Sequence, residues 1–160
     1  MKGDYLEMSI MKILKHPDTR IRLASSAVVN FNKQLTLLVN DMLETMRKKA
    51  GVGLAAPQIG VLEQIVVIEY KNKQQILINP KIISGEGSDI MEEACLSVPE
   101  QAGYVDRFTQ LTVQAQDING KVFEITETNY FARIIQHELD HLKGVLFIDK
   151  IIPEDQLERI

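Results

Sequence analysis

The chain carries, at residues 131–142, the sequence FARIIQHELDHL. Its apolar residues recur at the three- and four-residue spacing of one broad helix face. Thr128 or Asn129 before this run is a candidate N-cap, and Gly144 follows it where helices often end in a left-handed residue. We therefore predict a buried helix over this stretch.

Two histidines lie four residues apart within the predicted helix. They are His137 and His141, and Glu138 directly follows the first. Four residues is a little over one helical turn, so both imidazoles leave the same face of the helix. Two such nitrogens can hold one divalent metal at about 2.1 Å, while the glutamate can reach a water on that metal without displacing it. The pattern predicts a metal site; the alternative is a histidine pair satisfied by hydrogen bonds alone.

Length, composition and charge narrow the class of protein. The 160 residues are 45% hydrophobic and 25% charged, which is ordinary for a globular protein. We predict a single catalytic domain over residues 1–160, with residues 1–7 as a candidate disordered extension. The net charge of −4 argues against direct nucleic-acid binding as the main task.

Three observations favour a cytoplasmic protein. No apolar run approaches the roughly 18 residues of a membrane span, and the N-terminus lacks the apolar core of a signal peptide. Cys95 is the only cysteine, so no internal disulfide can form. A reducing compartment would keep this thiol available as a ligand.

The remaining patterns predict the fold class. An apolar stripe from Phe31 to Met46 has helical spacing, whereas residues 65–68 and 76–78 have the composition of buried strands. Residues 111–115 alternate between apolar and polar, and Asn119-Gly120 is a strong hairpin signal. We predict an α+β fold, with mainly antiparallel sheets packed around a central helix that carries the His-Glu-x-x-His motif.

A glycine-rich segment at residues 51–56 formally fits a dinucleotide-binding fingerprint. That fingerprint must follow a strand and open a helix, but this segment follows a helical stripe. Too few residues separate it from the next strand for a crossover helix. We reject nucleotide binding and expect these glycines to allow close approach of the backbone to a ligand or strand.

The third metal ligand decides the class of site. Metal proteases of the metzincin type place a third histidine where this chain has Phe147. Cys95, in a segment at residues 93–99 that we expect to be irregular, would complete a Cys-His-His set with an open fourth position. A protease-like glutamate at Glu154 or Glu158 is the alternative.

Three separate segments, at residues 51–58, 93–97 and 136–141, resemble the three motifs of peptide deformylases. The resemblance continues through residues 142–147 and the early turn at residues 16–18, so it covers nearly the whole chain from about Ile10 to Ile151.

The resemblance implies a metal-dependent enzyme that removes the N-formyl group from the formylmethionine of newly made proteins and releases formate. Cys95, His137 and His141 would hold one divalent ion per chain, usually Fe²⁺ in the cell. The same ligands suit Zn²⁺, Ni²⁺ or Co²⁺. Metal-bound hydroxide would attack the formyl carbon, with Glu138 as general base and then acid.

The resemblance also implies roles around the reacting group. The Gln58 side chain and the Leu96 backbone N–H would stabilise the charge on the formyl oxygen. We expect substrate-binding roles, with core packing or an ion pair as the alternative, for five further residues: Val52, Gly53, Met91, Arg133 and Ile134.

Two departures from the family pattern affect how far these roles can be assigned to this chain. Ala94 stands where the family normally has glycine before the cysteine, which would strain the backbone if that residue needs a positive φ. The tail at residues 153–160 is short and acidic. A ribosome contact through a basic C-terminal helix, which some members use, is therefore not expected here.

Two other classes of function remain open from the sequence. A metallopeptidase would use Glu154 or Glu158 as its third ligand, so it would keep its metal without Cys95. A non-catalytic relative would bind formylated peptides without releasing formate.

Overall fold

The computed structural model describes residues 9–159, so the predicted extension at residues 1–7 lies outside the described residues. In chain order the main elements are α1 (Lys33–Lys48), β1 (Gly53–Ala55), β2 (Ile65–Tyr70), β3 (Lys73–Glu86), β4 (Asp89–Cys95), β5 (Val98–Arg107), β6 (Gln110–Gln116), β7 (Val122–Thr128), α2 (Asn129–His141) and α3 (Glu154–Leu157). Every pair of these strands is antiparallel, which confirms the predicted mixture of helices and antiparallel sheets.

The strands form two separate sheets. Five of them make a main sheet in the order β1-β2-β3-β6-β7, which leaves β1 at one edge. The other two, β4 and β5, pair with each other in a long hairpin and with no other strand among residues 9–159. The predicted turn at Asn119-Gly120 joins β6 to β7, and Gly120 has the left-handed φ of 83° that glycine tolerates.

Strand β2 is buried on both faces, because a helix packs on each side of it. Val66 and Ile68 belong to the same apolar cluster as Ile135 of α2. Ile65 and Val67, which point to the opposite face, pack in the cluster that contains Met42 of α1. This two-sided burial explains why residues 65–68 read as a continuous apolar run.

Helix α2 contains the whole predicted motif. Its N-cap is Thr128, whose side chain makes no capping hydrogen bond, and Asn129 begins the helix at a φ of +53°. The expected side-chain cap is therefore absent. Gly144 has a φ of +74° just after the helix, which confirms the predicted left-handed turn.

Two local expectations need correction. Helix α1 begins at Lys33 rather than Phe31, because the Asn32 side chain caps it by accepting the Leu35 N–H at 3.1 Å. The segment around Cys95 is not irregular. Cys95 is the last residue of β4, and a tight turn after it leads directly into β5.

Among the described residues, no helix combines the length and apolar character that crossing a bilayer would require.

The turn after α2 generates a stability prediction. A Cβ on Gly144 would lie 2.2 Å from the Arg22 carbonyl oxygen, and the residue also needs a positive φ. Gly144→Ala should lower the free energy of unfolding by more than the roughly 1–2 kcal/mol of left-handed strain alone, because backbone must also move. Urea denaturation in a fixed metal state measures this loss.

Gly60→Ala is the matched control for that variant. Gly60 also has a positive φ, of +81°, but its added Cβ would meet only the Leu14 side chain, at 3.7 Å. It should therefore cost only the backbone strain. Equal losses in the two variants would contradict the predicted clash with Arg22.

Candidate active site

The histidines of the motif project from the last turns of α2 into the space beside the β4–β5 hairpin. The ring centroids of His137 and His141 are 5.2 Å apart, as expected for side chains one turn apart on one helix face. His141 is 1% exposed. Burial lowers the pKa of His141 to about 3, so this imidazole is neutral at pH 7, the form that binds metals.

Cys95 reaches the histidines because the hairpin turn ends β4 beside α2. Its Sγ atom lies 3.4 Å from His141 Nε2, and the ligand atoms of Cys95, His137 and His141 all lie within 4.8 Å of one another. A thiolate and two imidazoles form a donor set that suits Zn²⁺, Fe²⁺, Co²⁺ or Ni²⁺ and leaves a fourth position open. The residues therefore fit a divalent metal ion.

Glu93 orients the first histidine. Its Oε1 lies 2.8 Å from His137 Nδ1 and 3.0 Å from Arg107 Nη2, while its Oε2 accepts from Arg107 Nε at 3.0 Å and from Arg133 Nη1 at 2.5 Å. Burial raises the pKa of Glu93, but hydrogen bonds from His137 and Arg107 outweigh it and lower the pKa to about 2. An ionised Glu93 can accept a proton from Nδ1, and in that tautomer Nε2 is the ring nitrogen that can bind a metal.

Glu138 lies at the floor of the site, against β1. It is 4% exposed, and its buried Oε2 has no hydrogen-bond partner among residues 9–159. Burial raises the pKa of Glu138 to about 7, the range suited to a group that takes and returns a proton near neutrality. A Cβ on Gly53 would lie 2.8 Å from Glu138 Oε1, so only glycine allows β1 to approach this closely.

Gln58 is held rigidly at the Cys95 side of the site. Its side-chain oxygen accepts the Ala55 N–H at 2.9 Å, which turns the amide nitrogen toward Ser97 Oγ at 3.1 Å and Cys95 Sγ at 3.8 Å. The residue is 1% exposed. The amide N–H groups therefore face the cysteine end of the site.

A cavity of about 500 Å³ opens from these groups to the surface and is called the cleft below. Its lining includes Val52, Gly53, Gln58, Ala94, Cys95, Leu96, Arg133, Ile134, His137 and Glu138. Met91 is not among its lining residues, so its substrate-binding role stays a prediction. It lies four residues before Cys95 on β4, about 13 Å away along an extended strand, and is 38% exposed.

Two charged side chains near the motif form ion pairs within the protein. Arg133 lines the cleft, but its guanidinium donates to Glu93, to the Val105 carbonyl at 3.0 Å and to the Asp89 carbonyl at 2.6 Å. Asp140 pairs with Arg107 at 2.7 Å and Lys150 at 2.9 Å.

The structure adds residues that the sequence analysis did not single out. Tyr130 lines the cleft, and a signal for it existed, because it precedes His137 by seven residues, or two helical turns. Arg107 and Ser97 had no such signal. They reach the site through the hairpin turn and through register, which pairs Arg107 with Asp89 on β4.

Ala94, which stands where glycine was expected before Cys95, does not need a positive φ. Ala94 lies within β4 and is not among the residues with positive φ. Its methyl group therefore adds bulk to the cleft lining without straining the backbone before Cys95.

Comparisons with known proteins agree with this geometry. The family model for polypeptide deformylase matches residues 10–157. A peptide deformylase of Buchnera aphidicola subsp. Schizaphis graminum is 44% identical over 156 residues, which cover 96% of this chain and 93% of that protein. The peptide deformylase of Halothermothrix orenii is 45% identical over 147 residues, covering 91% of this chain and 96% of the relative.

Solved structures that resemble this chain are also peptide deformylases. The crystal structure of a peptide deformylase from Legionella pneumophila superposes with a TM-score of 0.87 at 44% identity, covering 94% of this chain and 90% of that one. Sequence and fold agree over nearly the whole length, and the chain belongs to the polypeptide deformylase family.

Proposed function

We propose that this protein removes the N-formyl group from the N-terminal formylmethionine of newly made proteins and releases formate. The observation that carries the proposal is the convergence of Cys95, His137 and His141 within 4.8 Å beside the buried Oε2 of Glu138, which has no hydrogen-bond partner within residues 9–159. In this proposal α2 is the central helix, and the two sheets bring the other groups to its polar face.

The metal would be one divalent ion per chain, held by Cys95, His137 and His141. We propose Fe²⁺ in the cell, with Zn²⁺, Ni²⁺ and Co²⁺ as alternatives that the same donors accept. When bound, such an ion lowers the pKa of a water molecule from about 16 to about 7 and polarises a carbonyl oxygen. Glu93 keeps His137 in the tautomer and orientation that this role needs.

Glu138 supplies the proton transfers. Its pKa of about 7 lets Oε2 accept the proton of the attacking water and return it to the departing amine. Because the carboxylate is buried against Gly53, its position is already fixed before a substrate binds.

Gln58 and Leu96 would stabilise the negative charge that develops on the formyl oxygen. The bond from Ala55 N–H fixes the Gln58 amide with its N–H groups facing the Cys95 side of the cleft. The Leu96 backbone N–H belongs to the tight turn directly after Cys95. Removing one such donor typically costs about 10²–10³ in rate.

The substrate backbone would add to the free edge of the main sheet at Gly53, since β1 pairs with β2 on its other side. The methionine side chain would then enter the cleft between Val52, Ile134 and the aliphatic stem of Arg133, with Tyr130 beside them.

Several broader expectations complete the proposal. We place the activity in one catalytic domain over residues 1–160, in the cytoplasm, acting on nascent peptides without direct nucleic-acid binding. Helix α3 spans only Glu154–Leu157 and is acidic, so we propose no ribosome contact through it.

The first prediction tests Glu138. Glu138→Gln keeps the volume of the side chain but removes the proton acceptor, so formate release from formyl-Met-Ala-Ser should fall by about 10²–10⁴ with metal content unchanged. The exposed Glu124→Gln is the matched control and should keep full activity. Undiminished release in Glu138→Gln would contradict the assigned role; no release from the metal-loaded parent would favour the binding-only relative.

The second prediction separates the proposed site from a metallopeptidase site. Cys95→Ser should lose most of the bound metal, whereas Glu154→Gln and Glu158→Gln should retain one ion per chain, because neither glutamate belongs to the Cys-His-His group. Metal content by mass spectrometry after dialysis gives the answer. Full metal retention in Cys95→Ser would favour the peptidase alternative.

The third prediction concerns Ala94. Because its φ is not positive, Ala94→Gly relieves no strain. Metal content should not change, and kcat/KM for formyl-Met-Ala-Ser should stay within about threefold of the parent. A large gain in either quantity would mean that the alanine does distort the position of Cys95.

A further inference from the structure

A second cavity, of about 630 Å³, lies beside the cleft. We call it the basic groove and define it by Lys12, Lys15 and Lys49 around apolar surface that includes Leu14, Leu96 and Pro99. None of the catalytic steps proposed above uses its lysines.

The basic groove is positive on a protein that is negative overall. Arg20 also lines it, but Asp18 neutralises this arginine through two hydrogen bonds, of 3.1 and 2.7 Å. The three lysines are exposed and form no ion pair with any residue in 9–159. Three uncompensated positive charges therefore face one groove of a chain whose net charge is −4.

The basic groove and the cleft share a wall. Leu96 and Cys95 line both cavities. Along the chain, Ala50 and Gly51 line the cleft and the preceding Lys49 lines the groove. A Cβ on Gly51 would lie 2.8 Å from Leu96 Cδ1, so the two cavities meet where Gly51 contacts Leu96.

The far wall of the groove is hydrogen-bonded to the backbone of Gln58 and Ser97. The Leu14 N–H donates to the Gln58 carbonyl at 2.7 Å, and the His16 N–H donates to the Ser97 carbonyl at 2.7 Å. These bonds hold the segment that carries Lys12 and Lys15 against the back of the site. The position of both lysines relative to the cleft is therefore fixed by backbone, although their side chains remain free in solvent.

The order of the residues indicates which part of a substrate would reach the groove. In the proposed binding mode the formyl group lies at the metal ligands, the first side chain fills the cleft and the backbone runs along Gly53. Ala50 and Gly51 line the cleft, while Lys49 begins the turn that follows α1 and lines the groove, so the groove adjoins this side of the cleft. We therefore place the third to fifth residues of the substrate beside the lysines.

We propose that the basic groove is a subsite for acidic side chains at the third to fifth positions of the nascent peptide. This inference rests on the proposed deformylase function and adds a preference within its substrate class. Exposed Lys–Glu contacts are individually weak, but three lysines around one groove also attract an acidic segment from a distance. The preference should be largest at low salt and fade as salt screens it.

The chemistry of the groove favours a peptide over a phosphate backbone. Leu14, Leu96 and Pro99 give it apolar surface, which suits a chain that mixes acidic and apolar side chains. The overall charge of −4 would also repel a nucleic acid outside the groove.

The test uses the full-length, metal-loaded protein and compares kcat/KM for formyl-Met-Ala-Glu-Glu-Glu with that for formyl-Met-Ala-Gln-Gln-Gln. At low salt the acidic peptide should react about 3- to 10-fold faster, and the ratio should approach one at about 0.5 M salt. Formyl-Met-Glu-Ala-Ala-Ala should gain nothing over its glutamine analogue, because in the proposed path the second residue precedes the lysines, and the exposed Glu92 that lines the cleft offers it no attraction.

Charge reversal ties the preference to the groove. In Lys12→Glu/Lys15→Glu/Lys49→Glu the ratio of the acidic to the neutral peptide should fall below one, whereas Lys121→Glu, in the turn between β6 and β7, should leave it unchanged. A preference that survives the triple variant would overturn the proposal. The ratio is internally normalised, so a uniform loss of activity does not affect it.

The outcomes separate this inference from the function on which it rests. Hydrolysis of all peptides at equal kcat/KM would overturn the subsite and leave the deformylase proposal intact. Failure to hydrolyse any formyl peptide would overturn both. If a short single-stranded RNA inhibits the parent but not the triple variant while acidic peptides gain nothing, the groove binds phosphate and the peptide subsite is wrong.

Discussion

The network of hydrogen bonds and ion pairs around the buried Glu93 carboxylate is the interaction on which the rest of the site depends. Glu93 lies on β4 of the hairpin and binds Arg107 from β5 as well as Arg133 and His137 from α2. Burying these charges is costly, and only the complete set of partners offsets that cost. Loss of one partner from such a buried network typically costs about 3–5 kcal/mol, because it leaves an unpaired charge in the interior. The hairpin that carries Cys95 is thereby locked to the helix that carries the histidines.

Close approach of backbone is the second requirement. Gly53 lets β1 contact Glu138, and Gly51 lets the same segment contact Leu96. These contacts bring the sheet edge, the buried carboxylate of Glu138 and the turn after Cys95 around one small volume. A side chain at Gly53 would displace the glutamate from the floor of the cleft. The glycine-rich segment therefore allows close packing of the backbone and leaves the cleft accessible, and it does not act as a nucleotide-binding loop.

The two faces of helix α2 have different roles. Its apolar side packs on the main sheet through residues such as Ile135 and Leu139, which makes the helix part of the core. Its polar side carries His137 and His141 toward the hairpin. Because the helix is anchored in the core, both imidazoles are held by rigid structure, as a metal site would require.

By itself the sequence determined the chemistry that lies close together along the chain. The spacing of His137, Glu138 and His141 sets their common helix face, the alternation in residues 111–115 marks a strand, and Asn119-Gly120 marks its turn, because these features depend on local backbone geometry. Only the tertiary structure decided which distant groups meet them. It placed Cys95 at a strand end, brought the Arg107 side chain from β5 to Glu93 on β4, and gathered three lysines beside the cleft. Such contacts depend on register and packing between elements, which no local sequence pattern specifies.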